Sequence, residues 1–119
     1  MKFQVSVAAL CLLVGQTWAA CRQVSNEEGD ALRVVEDCPW DRSTQTTFRC
    51  PTSQAAVDST FRLNIFVFTS VPQDLTFKIT GMWETSETSS SYFFCSAGSS
   101  EERLLPGYGQ VLRKVEVVA

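Results

Sequence analysis

The sequence contains no histidine among its 119 residues. A Ser-His-Asp triad therefore cannot form, and histidine-based general acid–base catalysis of the kind found in many small secreted nucleases is excluded with it. The same absence excludes a zinc site with histidine ligands, and no Cys-x-x-Cys pair is present to replace it. We therefore expect no catalytic residues, no metal site and no cofactor.

The sequence also lacks a long apolar run and any concentration of positive charge. The apolar run at 5–14 is interrupted by Ser6 and is shorter than the roughly 20 residues that span a bilayer. The 10 basic and 13 acidic residues are scattered along the chain, without a basic stripe. We therefore expect no membrane span and no binding to nucleic acid through its phosphates.

The first twenty residues have the order typical of a secretory signal peptide. Lys2 supplies a positive start, a short apolar block follows, and small residues close the segment. Thr17 and Ala19 are the small residues that favour cleavage after Ala19. The pattern predicts a signal peptide at 1–19 and one secreted, extracellular domain at 20–119. Without Lys2 this domain has nine basic and 13 acidic residues, a net charge of −4.

Four of the five cysteines remain once the predicted leader, which carries Cys11, is removed: Cys21, Cys38, Cys50 and Cys95. An even number of cysteines in a short exported chain indicates two disulfides, with three possible connectivities. We favour Cys21–Cys50 and Cys38–Cys95, because these pairs would tie the irregular N-terminal region to the later strands. Each disulfide is expected to add about 2–4 kcal/mol to the free energy of unfolding.

The clearest secondary-structure signal lies within 60–83. Over 61–68 the apolar residues at 61, 63, 65 and 67 alternate with Arg62, Asn64, Phe66 and Phe68, and over 75–80 apolar and polar residues alternate; both runs have the period of two that separates the faces of a β-strand. A polar loop at 70–74 joins the two runs. The pattern predicts an antiparallel hairpin at the centre of a sheet.

Four phenylalanines in these two runs indicate how many layers the fold has. Phe61 and Phe77 are predicted core residues. Phe66 and Phe68 lie on the other face of the first run. If a second layer covers that face, the fold is a sandwich or barrel; otherwise the two rings form an exposed patch. We expect the face to be covered.

The remaining elements are shorter. Further strands are predicted at 32–36, 45–50, 92–95 and 111–118, and the last is placed at a sheet edge because Arg113 interrupts its apolar side. Other segments are predicted as a polar lead-in at 20–31, a helical turn around 55–57, and polar loops at 84–91 and 96–102. Together they predict an all-β fold, a small disulfide-stabilised antiparallel β-sandwich or barrel of about six strands.

Three aromatic residues are the candidate partner-binding site: Trp40, Trp83 and Tyr108. Their rings could form one flat surface that stacks on sugars or anchors a protein partner. Packing on a disulfide explains Trp40 equally well, because it follows Cys38 by two residues. The carboxylates of Glu84 and Glu87 could act together on a glycosidic bond, but their Ser/Thr-rich surroundings favour a solvated loop.

The layout of the chain resembles that of the small secreted cysteine-containing proteins of filamentous fungi. The resemblance rests on Met1-Lys2-Phe3, the Ala/Leu/Val block and the four cysteines of a β-rich chain. Many proteins of this class are effectors, so the resemblance implies a virulence-related role. We expect a monomeric, non-enzymatic, effector-like binding protein. It would contact an extracellular or host protein or glycan through a rigid, disulfide-held β surface.

Three alternatives remain open at this point. The chain could inhibit a secreted hydrolase by presenting a rigid loop such as 70–74 or 84–91. It could carry a small ligand if the sheet closes into a barrel with an empty interior. It could also be a small carboxylate enzyme that uses Glu84 and Glu87.

Overall fold

A computed structural model of the chain describes residues 20–60, 64–105, 107 and 109–119. The predicted leader at 1–19, Phe61 and Tyr108 lie outside these residues. The described part contains one short helix, α1 (Asn26–Asp30), and nine strands. The strands are β1 (Cys21–Val24), β2 (Val34–Asp37), β3 (Thr47–Arg49), β4 (Ala56–Ser59), β5 (Ile65–Ser70), β6 (Leu75–Met82), β7 (Thr88–Cys95), β8 (Glu101–Leu104) and β9 (Val111–Val118).

The strands form two antiparallel sheets. Sheet A has five strands in the order β1-β7-β6-β9-β2, and sheet B has four in the order β3-β4-β5-β8. The predicted all-β, disulfide-stabilised antiparallel fold is therefore confirmed. Of the two architectures left open, the structure is a sandwich, since the sheets do not close into a barrel.

Phenylalanine rings from both sheets meet in the core. Phe66 and Phe68 of β5 are fully buried, and so is Phe77 of β6, while Phe93 of β7 is 2% exposed. Ring centroids lie 5.5 Å apart for Phe66 and Phe93 and 5.1 Å apart for Phe68 and Phe77. These separations are typical of aromatic pairs that add to the burial of their area. The expected cover over Phe66 and Phe68 is thus confirmed, and sheet A provides it.

The predicted hairpin across 70–74 is wrong. β5 pairs with β4 and β8 in sheet B, whereas β6 pairs with β7 and β9 in sheet A. The loop therefore carries the chain from one sheet to the other. Each run has a face of large apolar side chains, and these faces pack against each other across the core, where Phe68 of β5 meets Phe77 of β6. Alternation separates the two faces of a strand but does not identify the strands beside it.

Several shorter predictions are also corrected. Residues 88–91 belong to β7 rather than to a loop, and the Thr80 and Ser90 hydroxyls lie 3.0 Å apart across β6 and β7. A run of hydroxyl residues can pair in this way on a solvated sheet face. The predicted loop at 96–102 includes the start of β8, and the predicted helical turn at 55–57 includes the start of β4.

The two ends of the domain differ from expectation as well. The polar lead-in at 20–31 contains β1 and α1, and β1 is held in sheet A by its ladder to β7. β9 has the predicted bounds but lies between β6 and β2, not at an edge. Arg113 interrupts the apolar side of β9 because the pairing shifts register there, so its exposure does not mark an edge strand.

All four cysteines of the predicted mature chain are paired, but the favoured connectivity is wrong. The disulfides are Cys21–Cys95 and Cys38–Cys50. Cys21 lies directly opposite Cys95 in the β1–β7 ladder, so this bond joins neighbouring strands of sheet A. Cys38 follows β2 and Cys50 follows β3, so the second bond links sheet A to sheet B.

Helix α1 covers one end of the outer face of sheet A. Ser25 caps it by accepting a hydrogen bond from the Glu28 amide. Gly29 packs directly on the Tyr92 ring, where a Cβ atom would overlap the ring. The Tyr92 hydroxyl donates to Asp30 Oδ1 at 2.7 Å. Burial, aided by this neighbouring carboxylate, raises the pKa of Tyr92 to about 12.

The two disulfides should differ in their contribution to stability. Replacing Cys21 and Cys95 by serine is expected to lower the free energy of unfolding by about 4 kcal/mol, against about 3 kcal/mol for Cys38 and Cys50, because a longer loop loses more closure entropy. The sequence separations are 74 and 12 residues. Urea unfolding of the two double variants measures the difference. A larger loss for the Cys38 and Cys50 variant would contradict this ranking.

Tyr92 should make stability depend on alkaline pH. Its folded pKa is raised, so the fold favours the neutral phenol, and this stabilisation is complete below pH 10.0 and is lost as the pH rises toward about 12. We expect the free energy of unfolding of the wild type to fall more steeply over this interval than that of Tyr92→Phe. Parallel denaturant titrations check this, and equal slopes for the two proteins would count against the assignment.

Candidate functional site

Trp40 is an exposed aromatic residue on a well-supported segment. It is 54% exposed, although Cys38 and Phe48 beside it are buried. Trp40 forms an isolated antiparallel bridge to Phe48, and their ring centroids are 5.7 Å apart. Main-chain bonds on both sides of this bridge, from the Arg49 amide to Pro39 O and between residues 41 and 47, hold the segment against β3. Trp40 therefore contacts the core with one side of its ring and faces solvent with the rest.

The loop after Trp40 is ordered by Asp41. Its Oδ1 accepts hydrogen bonds from the Ser43 amide at 3.0 Å and from the Ser43 hydroxyl at 2.7 Å. Its Oδ2 accepts from Arg49 Nε at 2.7 Å, which closes the loop onto β3. The Ser43 hydroxyl, followed by Arg49, lowers the pKa of Asp41 to about 2. The carboxylate is thus charged at neutral pH and satisfied by its own loop.

A cleft of about 520 Å³ lies beside Trp40; we call it the Trp40 cleft. It runs along the side of the sandwich where the segment leading to β3 passes sheet A. Its lining comprises Asp37, Cys38, Pro39, Trp40, Phe48, Thr80, Thr88, Arg113 and Lys114. A second hollow, lined by Trp40, Arg42 and Gln45, lies beside the same tryptophan. The indole therefore has an open cleft and a further cation beside it.

A β-bulge in β9 brings two cations to the Trp40 cleft. Thr80 of β6 pairs with Lys114, but the next residue, Gly81, pairs with Leu112, so Arg113 is an extra residue in the ladder. In a regular strand, consecutive side chains point to opposite faces. Here Arg113 and Lys114 are both exposed and both line the cleft. Bulges commonly redirect a side chain next to functional sites.

Positive charge predominates around Trp40. The lining of its two hollows includes Arg42, Arg113 and Lys114 but a single carboxylate, Asp37. Lys114 Nζ also lies 3.4 Å from Glu116 Oε2, a contact that leaves 56% of the lysine side chain exposed. The chain as a whole has more acidic than basic residues. The cations beside Trp40 are thus a local departure from the overall charge of the molecule.

Trp83 lies in a different cleft, so the predicted single aromatic surface is not formed by the two tryptophans. This second cleft, which we call the Trp83 cleft, is lined by Trp83, Glu84, Thr85, Glu87 and Gly109. Trp83 is half-buried, and Gly107 packs so closely on its ring that a Cβ atom there would overlap it. Tyr108, the third predicted aromatic, falls outside the described residues.

Glu84 and Glu87 both line the Trp83 cleft and lie on the turn that joins β6 to β7. The turn is closed by hydrogen bonds from the Trp83 amide to Glu87 O and from the Ser86 amide to Trp83 O, both 2.9 Å. Both glutamates are exposed. An acid of raised pKa in a glycosidase is held in an enclosed, apolar setting. The exposed turn fits the solvated-loop interpretation of these residues better.

The four residues that β6, β7 and β9 bring to the Trp40 cleft were not predicted as site residues: Thr80, Thr88, Arg113 and Lys114. Thr80 lies in the predicted hairpin and Thr88 in the predicted loop, and neither has a pattern that connects it to Trp40. A signal was present in β9, where Arg113 breaks the alternation and Lys114 follows it. A break of this kind can mark a bulge as well as an edge strand.

Neither a metal site nor a membrane-spanning helix is found among the residues that the structure describes. These residues contain no group of three or more cysteine, aspartate or glutamate side chains placed to hold a metal ion. They also contain no helix that is long and apolar enough to cross a membrane.

Comparison with known proteins identified no relative of this chain. No protein-family model, curated protein or solved structure matches this chain. The functional argument therefore rests on the site itself.

The loop that supports Trp40 should loosen in acid. The pKa of Asp41 is lowered from 3.8 to about 2, so its stabilising contacts are present above pH 3.8 and are lost as the pH falls toward 2. We expect the carboxyl resonance of Asp41 to titrate near pH 2 by NMR. In Ser43→Ala the midpoint should move up toward 3.8, because the main hydrogen bond is removed. An unchanged midpoint in that variant would refute this account of the loop.

Proposed function

We propose that this chain is an exported, non-enzymatic binding protein that contacts an external macromolecule through the Trp40 cleft. The observation that carries the proposal is the 54% exposure of Trp40 on a segment fixed by a disulfide and a β-bridge. Tryptophan is among the residues that contribute most to binding energy at interfaces. Leaving such a ring exposed on a rigid support has a cost in solvation, which a bound partner would recover.

Export is supported by the disulfides. Both bonds are formed and the four cysteines are buried, which is the state expected in an oxidising compartment. The predicted cleavage after Ala19 would leave Ala20 at the new amino terminus. Its nitrogen already donates to Ser96 Oγ at 3.0 Å, and its carbonyl accepts from the Ser96 amide. In a chain that begins at Ala20, the first residue would therefore be hydrogen-bonded to Ser96 of the fold.

Rigidity supports a binding role in particular. The segment that carries Trp40 is fixed by the Cys38–Cys50 disulfide and by the hydrogen bonds that Asp41 accepts from Ser43 and Arg49. A surface that is ordered before the partner arrives loses little conformational entropy on binding. We further propose an effector-like action on a host or competitor macromolecule, for which the support is the chain's layout as a small secreted cysteine-containing protein.

The alternatives are less favoured. A hydrolase inhibitor presents a protruding loop. Of the two candidate loops, 84–91 is shortened because residues 88–91 belong to β7, and 70–74 is tied to the body of the protein. The Gly98 amide donates to Val71 O, and the Ala97 amide donates to Asp74 Oδ1. A carrier of small ligands was expected only for a barrel with an empty interior, and phenyl rings occupy the space between these sheets.

Replacing Trp40 should remove binding. We expect the wild type to bind at least one member of a panel that combines neutral glycans, acidic glycans and purified secreted hydrolases. Trp40→Ala should weaken that binding about tenfold or more, because a central tryptophan is lost from the contact. Trp83→Ala is the matched control, since it removes the same side chain from the other cleft.

Surface plasmon resonance with the oxidised, folded proteins gives the affinities. The proposal fails if Trp40→Ala binds every wild-type ligand with unchanged affinity, or if Trp83→Ala alone loses binding. Inhibition of one of the hydrolases would instead favour the inhibitor alternative.

A further inference from the structure

We infer that the Trp40 cleft binds an acidic polysaccharide, with Trp40 stacked on a sugar ring and Arg113, Lys114 and Arg42 facing its carboxylates. The inference rests on the proposed function and names the ligand class of the same site. It depends on three features of the cleft: its cations, the hydroxyl groups in its lining, and its open shape.

The cations are arranged around the indole. Arg113 and Lys114 line the cleft with Trp40, and Arg42 lines the neighbouring hollow that Trp40 also borders. A ligand across the ring would therefore meet positive groups at more than one point along its length. Arginine favours carboxylates in particular, because its planar fork can donate two parallel hydrogen bonds to them. A polymer with one carboxylate per repeat supplies such groups at regular intervals.

The bulge in β9 explains how a regular sheet acquires this arrangement. Without the extra residue, Arg113 and Lys114 would project to opposite faces of sheet A. With it, both reach the Trp40 cleft, and the core contacts of Leu112 and Val115 on either side are kept. A bulge interrupts the hydrogen-bonded ladder. This interruption places two adjacent cations, Arg113 and Lys114, beside the exposed Trp40.

The rest of the lining favours a sugar over an acidic peptide. Thr80 and Thr88 add hydroxyl groups to the cleft, and a hydroxyl can donate one hydrogen bond and accept two. The Thr80 hydroxyl pairs with Ser90 and keeps capacity for a further partner. A flat indole beside hydroxyls suits the C–H face and the rim of a pyranose ring. An apolar side-chain anchor of a peptide would instead need a deep, desolvated pocket.

The carboxylates near the cleft do not cancel its charge. Asp37 lines it, and Glu116 lies near Lys114. Asp41 is occupied by Ser43 and Arg49. Counting Asp37 and Glu116 against the three cations leaves one positive charge in excess beside Trp40. Because these groups are exposed, their attraction for an anionic ligand should weaken as salt rises.

The test compares one sugar backbone in charged and neutral forms. Oligogalacturonate and its methyl ester share the same pyranose rings, but the ester has lost its negative charge. Isothermal titration calorimetry with the oxidised protein should show the acid form binding about tenfold or more tightly than the ester, since charge-assisted bonds are about twice as strong as neutral ones. Binding of the acid form should weaken between about 50 mM and about 300 mM salt.

Paired variants locate the binding site. Arg113→Gln with Lys114→Gln should weaken binding of the acid form about fivefold or more, by loss of two exposed charge contacts. Arg22→Gln with Arg33→Gln is the control, because it removes the same charge outside the lining of the cleft. This control should bind within about twofold of the wild type. Far-UV and near-UV circular dichroism confirm that all variants are folded.

The outcomes separate this inference from the proposed function. Equal binding of acid and ester with loss in Trp40→Ala would overturn the acidic-ligand inference and leave the proposed function standing. Tighter binding of poly-glutamate or of single-stranded DNA than of the oligogalacturonate would also overturn it, as would no binding of either sugar form. The proposed function fails separately, if Trp40→Ala keeps every interaction found with the wider panel.

Discussion

The disulfide between Cys38 and Cys50 is the constraint on which the position of Trp40 depends. It joins the end of β2 in sheet A to the end of β3 in sheet B, at the corner where the chain passes between the sheets. The Glu36 carboxylate strengthens the same corner by accepting hydrogen bonds from the Thr52 and Ser53 amides. Because Trp40 lies just beyond Cys38, the covalent link that closes the sandwich also sets the position of the exposed ring.

The core and the site impose different demands on the same strands. The inner faces of β6 and β9 provide Phe77, Ile79, Val115 and Val117 to the core, which requires regular alternation. Beside Trp40, β9 presents two adjacent exposed cations, Arg113 and Lys114, which regular alternation would place on opposite faces. The bulge at Arg113 resolves this conflict over a single residue. The two tryptophan clefts then differ in charge, with cations beside Trp40 and two glutamates beside Trp83.

Sequence periodicity separated the two faces of each strand but decided neither which face is more buried nor which strands pair. Phe77 is buried as alternation predicted, whereas Phe66 and Phe68, on the face opposite the expected core face of their strand, are fully buried and Ile65 and Val67 are only partly buried. The partners of β5 and β6 depend on the whole arrangement of two sheets, which no local pattern contains. The same limit explains the disulfides: Cys21 and Cys95 are 74 residues apart and meet only once β1 pairs with β7. Trp40 was identified from its residue type, whereas Arg113 and Lys114 beside it come from a distant strand.

Disulfide mapping of the protein recovered from the cells that produce it tests the central claim most directly. Proteolysis without reduction, followed by mass spectrometry, should find Cys21 joined to Cys95, Cys38 joined to Cys50, no free thiol among these four, and an amino terminus at Ala20. Free thiols at Cys38 and Cys50, or a bond from either of them to Cys21 or Cys95, would contradict the account. The link that holds Trp40 in place would then be absent.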